Sequence, residues 1–98
     1  SATDGWIVGG NGTILHWNGT TWTPVSSPVS TSFSDVSMAS GSRGWIVGGT
    51  TILTWNGVSW AQQPQPSTSG LNTVQAVSEN EAWAAGWDGV IIHYSNQP

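Results

Sequence analysis

Gly44-Trp45-Ile46-Val47-Gly48-Gly49-Thr50-Thr51-Ile52-Leu53-Thr54-Trp55-Asn56-Gly57 decides the fold, because the chain writes this stretch more than once. Upstream, Gly5-Trp6-Ile7-Val8-Gly9-Gly10 and Thr13-Ile14-Leu15-His16-Trp17-Asn18-Gly19 repeat its two halves. Downstream, Ala82-Trp83-Ala84-Ala85-Gly86 and Val90-Ile91-Ile92-His93-Tyr94-Ser95-Asn96 repeat them more loosely. The leading tryptophans Trp6, Trp45 and Trp83 stand 39 and 38 residues apart, so about two and a half copies of one unit fill the 98 residues. A unit of this length cannot bury its apolar surface alone and stacks on its neighbours.

No stretch carries a helical period. Gly, Asn-Gly, Asp-Gly and Pro interrupt the chain every few residues, the mark of many short strands. In the fullest copy the pattern predicts strand A at Phe33 to Ala39, B at Gly44 to Gly48, C at Thr51 to Trp55 and D at Ser59 to Gln62. Asn18-Gly19 and Asn56-Gly57 are expected as two-residue hairpin turns between C and D, where positive φ is needed at both positions. Asn11-Gly12 and Asp88-Gly89 are expected to do the same between B and C. The middle copy has one residue fewer there, Gly49-Thr50-Thr51, so its turn should differ. Strand interiors such as Trp6-Ile7-Val8 and Ile91-Ile92 are apolar at consecutive positions, which predicts sheets covered on both faces. The D-to-A connections, Ser26 to Ser32 and Gln63 to Gly70, are long enough to cross about 14 Å of sheet from an outer strand to the next inner one.

Short antiparallel sheets, stacked face to face and linked outer to inner, are the blades of a β-propeller. The reading is all-β in a single domain. It has a partial blade at 1–25 (strands B, C, D), a full blade at 33–63 (A to D) and a partial blade at 71–96 (A, B, C). The motif Gly-Trp-x-Val-Gly followed by Gly-Thr-Ile-Leu-x-Trp-Asn-Gly-x-x-Trp also resembles blades of bacterial neuraminidase-repeat and photosystem-assembly-factor-like propellers. The resemblance implies a propeller fold. It departs at the Asp-box turn of those families, Ser-x-Asp-x-Gly-x-Thr-Trp: Thr54 to Trp60 and His16 to Trp22 are each one residue shorter, with Asn in place of Asp. No catalytic role is carried over with it.

Composition narrows the function. There is no cysteine, so disulfides, thiolate metal sites and a cysteine nucleophile are excluded. Arg43 is the one Lys or Arg, against five acidic residues, so no cationic track exists for nucleic acid or an anionic membrane. No apolar run reaches the ~20 residues needed to span a bilayer, and no charged-then-apolar leader is visible. An initial Ser1 is the start expected of a processed or excised chain. Charged residues are 6% of the total, so the surface must be Ser, Thr, Asn, Gln and Gly and should associate readily. A wedge of blades would also expose two apolar faces and unpaired strand edges. Copies of the chain are therefore the expected partner, in a closed ring or an open filament, the third alternative being that the chain is a fragment of a longer propeller.

The equivalent aromatic positions Trp6, Trp45, Trp83, Trp17, Trp55, Tyr94, Trp22 and Trp60 are expected to pack blade against blade, the alternative being exposed rings as sugar platforms. Trp87 breaks the repeat: it replaces Gly10 in the B-to-C turn beside Asp88, and the two are the candidate ligand contacts, the alternative for Trp87 being local packing or an oligomer contact. His16 and His93 share a repeat position with Thr54, which argues against metal or general-base roles, and no metal or cofactor is expected. Asp35, Glu79, Glu81 and Asp88 are the acids from which a glycosidase pair would have to come. A neuraminidase-like site would need an arginine cluster, so no enzyme is expected. Asn11-Gly12-Thr13 and Asn18-Gly19-Thr20 are glycosylation sequons, and Ser26 to Ser34 and Pro64 to Gly70 have the composition of O-glycan acceptors. The expected function is a self-assembling module that presents loops to glycans outside the cell or at its surface. The alternative is a scaffold or filament protomer.

Overall fold

The computed structural model describes residues 5–63 and 70–95. These residues form ten strands in three antiparallel sheets. The first sheet holds β1 (Gly5–Val8), β2 (Ile14–Trp17) and β3 (Trp22–Pro24). The middle sheet holds β4 (Asp35–Ser40), β5 (Arg43–Gly48), β6 (Thr51–Trp55) and β7 (Trp60–Gln63). The last holds β8 (Leu71–Ser78), β9 (Glu81–Gly86) and β10 (Ile91–Ser95). Within each sheet, strands lie in chain order. Strand A begins at Asp35 rather than Phe33, whose ring turns into the core, and strand D begins at Trp60 rather than Ser59.

The sequence repeat is realised in register. Trp6 lies opposite His16, Trp45 opposite Thr54, and Trp83 opposite His93. Because successive side chains point to opposite faces, the consecutive apolar residues of β5 and β6 serve two cores. Trp45, Val47 and Ile52 pack with Leu71, Val74, Ala82 and Ala84 between the middle and last sheets. Ile46 and Leu53 pack with Ile14, Phe33 and Trp60 between the first and middle sheets. The expected burial on both faces therefore holds for the middle sheet alone. The outer faces of the end sheets leave Ile7 (46%), Trp22 (43%), Trp83 (44%) and Ile91 (69%) in solvent.

Side chains join the middle and last sheets where β4 runs beside β8. Asp35 Oδ2 accepts the Val74 N–H at 2.9 Å and the Thr73 hydroxyl at 3.2 Å, and Ser37 Oγ accepts the Ala76 N–H at 2.9 Å. Arg43 spans the same joint: its Nε donates to the Glu79 carbonyl, its Nη2 donates to the Tyr94 hydroxyl at 3.0 Å, and its guanidinium lies over the rings of Trp45 and Tyr94.

The C-to-D turns correct the sequence reading. At 18–21 and 56–59 the connection is four residues long, and only Gly19 (φ 98°) and Gly57 (φ 96°) take positive φ. The asparagines do different work. Asn18 Oδ1 accepts the N–H groups of Thr20 and Thr21, and Asn56 Oδ1 those of Val58 and Ser59, so a side-chain amide stands in for a backbone carbonyl. Within the connection 9–13, Asn11-Gly12 takes positive φ at both positions, 58° and 74°, and the Thr13 N–H closes the turn on the Gly10 carbonyl at 3.1 Å, as the sequence leads one to expect; in the last sheet the 3-10 turn Trp87–Gly89 places Gly89 at φ 75°. The B-to-C connection is shortest in the middle sheet, where Gly49-Thr50 alone links Gly48 to Thr51 and Gly49 has φ 55°.

Candidate recognition face

Hydrogen bonds gather the B-to-C turns and the D-to-A connections at one end of the strands. Gly12 donates to the Thr31 carbonyl, Phe33 to Gly9, Ser34 to Val47, and Leu71 to Gly49. The connections run so close that a Cβ on Gly48 would overlap the backbone of Ser32 and Phe33, and one on Gly86 that of Gly70 and Leu71. In the middle and last copies the last glycine of the Gly-Trp-x-Val-Gly motif is thus needed for close approach of two backbones, whereas Gly9, its equivalent in the first copy, has open space around it. Of the second connection, residues 64–69 lie outside the described residues, and so does most of the Pro64 to Gly70 glycan-acceptor candidate.

Trp87 stands on this face. It opens the last 3-10 turn as Gly10 opens the first, its N–H donates to the Gly70 carbonyl at 2.9 Å, and it is 64% exposed. The backbone is tied down while the indole remains in solvent, a rigid platform with an apolar face and an N–H edge. Asp88 follows in the same turn, and its side chain lies outside the described residues. Asn11, with φ 58°, and Asn18 are both exposed, so each sequon asparagine is accessible.

The candidate acids are placed apart. Asp35 is engaged at the β4–β8 joint, Glu79 sits in the turn after β8, and Glu81 Oε2 lies 2.8 Å from His93 Nε2 on the outer face of the last sheet. Among the described residues no group of three or more His, Cys, Asp or Glu is arranged to hold a metal. His93 instead stacks on Trp83 at 4.0 Å and 15°, and His16 on Trp6 at 4.4 Å and 36°.

Sequence reasoning did not find one further feature. A cleft of about 450 Å³, lined by Trp6, Val36, Met38, Ala39 and the glycines Gly5 and Gly41, opens beside β1, near the β4–β5 turn. In the other two sheets the corresponding flank of the B strand is occupied, by β4 and by β8. The signal was in the strand count, since the first sheet has B, C and D strands but no A strand among its described residues.

No family model and no curated protein matches the chain. Solved structures do. The chain superposes on YCF48 bound to D1 peptide with a TM-score of 0.79 and 30% identity over 95% of its length. It superposes on YCF48 from Cyanidioschyzon merolae with a TM-score of 0.74 and 26% identity over 96%. The chain has the fold of a partial β-propeller. It spans 34% and 33% of those two chains, and its three sheets are propeller blades. The blade resemblance carried by the Gly-Trp-x-Val-Gly motif therefore holds in three dimensions.

Proposed function

We propose that the chain is a non-enzymatic, self-assembling propeller module that presents the face around Trp87 for recognition, with glycans outside the cell or at its surface as the ligand class. The carrying observation is the pair of apolar sheet faces left in solvent at its two ends, with Trp22 and Ile7 on one and Trp83 and Ile91 on the other. Large apolar side chains grouped on an exposed face mark interaction surfaces, and stacked repeats draw much of their stability from the neighbour they pack on. Native mass spectrometry tests the assembly, and a well-folded monomer at micromolar concentration would sink it. Support for recognition comes from the Trp87 ring, which is exposed while its backbone is fixed. On a glycan array, Trp87→Ala should lose binding with assembly unchanged; binding equal to that of the parent would remove Trp87 from the site. If electron micrographs show long regular fibres and the array stays blank, the scaffold reading replaces this one.

A second reading has its own observation. The cleft lies beside β1, the edge strand of the first sheet, where an extended segment would add a strand, and one of the similar propellers is bound to a peptide. An extended peptide would then be the ligand. Met38→Arg, which fills the cleft, should abolish peptide capture and leave glycan binding intact.

A further inference from the structure

The two exposed end faces are copies of two faces that already pack together inside the chain. Between the first and middle blades, Trp6 lies edge-on to Trp55 at 5.1 Å and to Trp60 at 5.3 Å and 89°, with His16 against its other side. Trp55 and Trp60 form the receiving dish, at 5.3 Å and an interplanar angle of 44°. Their repeat equivalents on the open face of the first blade are Trp17 and Trp22, which lie opposite each other across β2 and β3. Those two rings hold the same arrangement, 5.4 Å and 44°. The inserting side is duplicated as well. On the open face of the last blade, Trp83 is stacked on His93, with Ile91 beside it opposite Ala85. This repeats Trp6 on His16 with Ile14 opposite Val8.

We infer that a second copy of this chain docks head to tail, Trp83 of one copy inserting against Trp17 and Trp22 of the next as Trp6 inserts against Trp55 and Trp60. This rests on the self-assembly proposed above and adds which faces meet and in which sense. A face-to-face pairing would set Trp83 on Trp83, or one dish on another, and neither arrangement has a precedent within the chain. A head-to-tail contact is heterologous, so it closes into a ring or continues as a filament. Two copies bring six blades, within the usual range of about four to eight for propellers.

The test uses one variant for each face. Ile91→Arg places a charge beside Trp83, and Trp22→Arg removes half of the dish; both positions are exposed, so the cores are left intact. Ile7→Arg serves in place of Trp22→Arg should circular dichroism show that variant unfolded. Expected by native mass spectrometry is an assembled parent, each variant alone at the mass of one copy, and an equimolar mixture at twice that mass, joined through the one good face of each. A monomeric parent removes the self-assembly reading and this contact with it. An assembled parent with either variant still assembled alone leaves self-assembly standing and overturns the head-to-tail contact.

Discussion

Trp45 and Trp83 occupy the same place in the repeat, yet one is 1% exposed and the other 44%. The difference lies in what stands in front of each ring. Trp45→Ala should therefore cost about 3–5 kcal/mol in a urea titration, the usual range for emptying a buried aromatic site. Trp83→Ala should cost the isolated chain less than about 1 kcal/mol, as is normal for surface sites. Asp35 is held by a different logic. Its carboxylate accepts the partly buried Val74 N–H, and Asp35→Ala strands that donor at a cost of about 1–3 kcal/mol, while Asp35→Asn retains an acceptor and should lose less. Equivalence in the repeat made the packing role of the tryptophans legible from sequence. It did not show which of them end uncovered, because that depends on position in the stack and not on residue type.

Strands were readable because their apolar residues and glycines are dense. β6 is Thr51–Trp55, the expected strand C residue for residue. Turns were less so, since Asn-Gly can serve a hairpin through positive φ at both residues or through the asparagine amide, and pattern alone does not separate the two. Here the amide does it, so Asn18→Ala and Asn56→Ala should each lower stability by about 1 kcal/mol through lost hydrogen bonds, even though neither asparagine has positive φ. Gly49 is the opposite case. At φ 55°, Gly49→Ala should cost about 1–2 kcal/mol, and Gly49→Asn less, a ranking that thermal melts of the three proteins would check. The cleft beside β1 escaped sequence reading because it is made by residues of two sheets, with Trp6 on one and Val36 and Met38 on the other.

For the molecule as a whole, stacking governs. The propeller architecture was legible from a period of 38 to 39 residues, but the partner of the end blades was not, since a repeat looks alike whether its neighbour is covalent or a second copy. If copies dock as inferred, association stabilises the folded form by mass action, so the melting temperature should rise with protein concentration and should stop doing so in Ile91→Arg. A melting temperature independent of concentration would count against any assembly. The joint between the middle and last blades also offers a probe that needs no substitution. Arg43 is the only Lys or Arg in the chain, and it is clamped onto Tyr94 and the Glu79 carbonyl. Trypsin therefore has a single bond to cut, Arg43–Gly44, and because the Arg43 side chain is held by the last blade, nicking should quicken whenever those two blades part, which makes its rate a clock for how often the wheel segment opens.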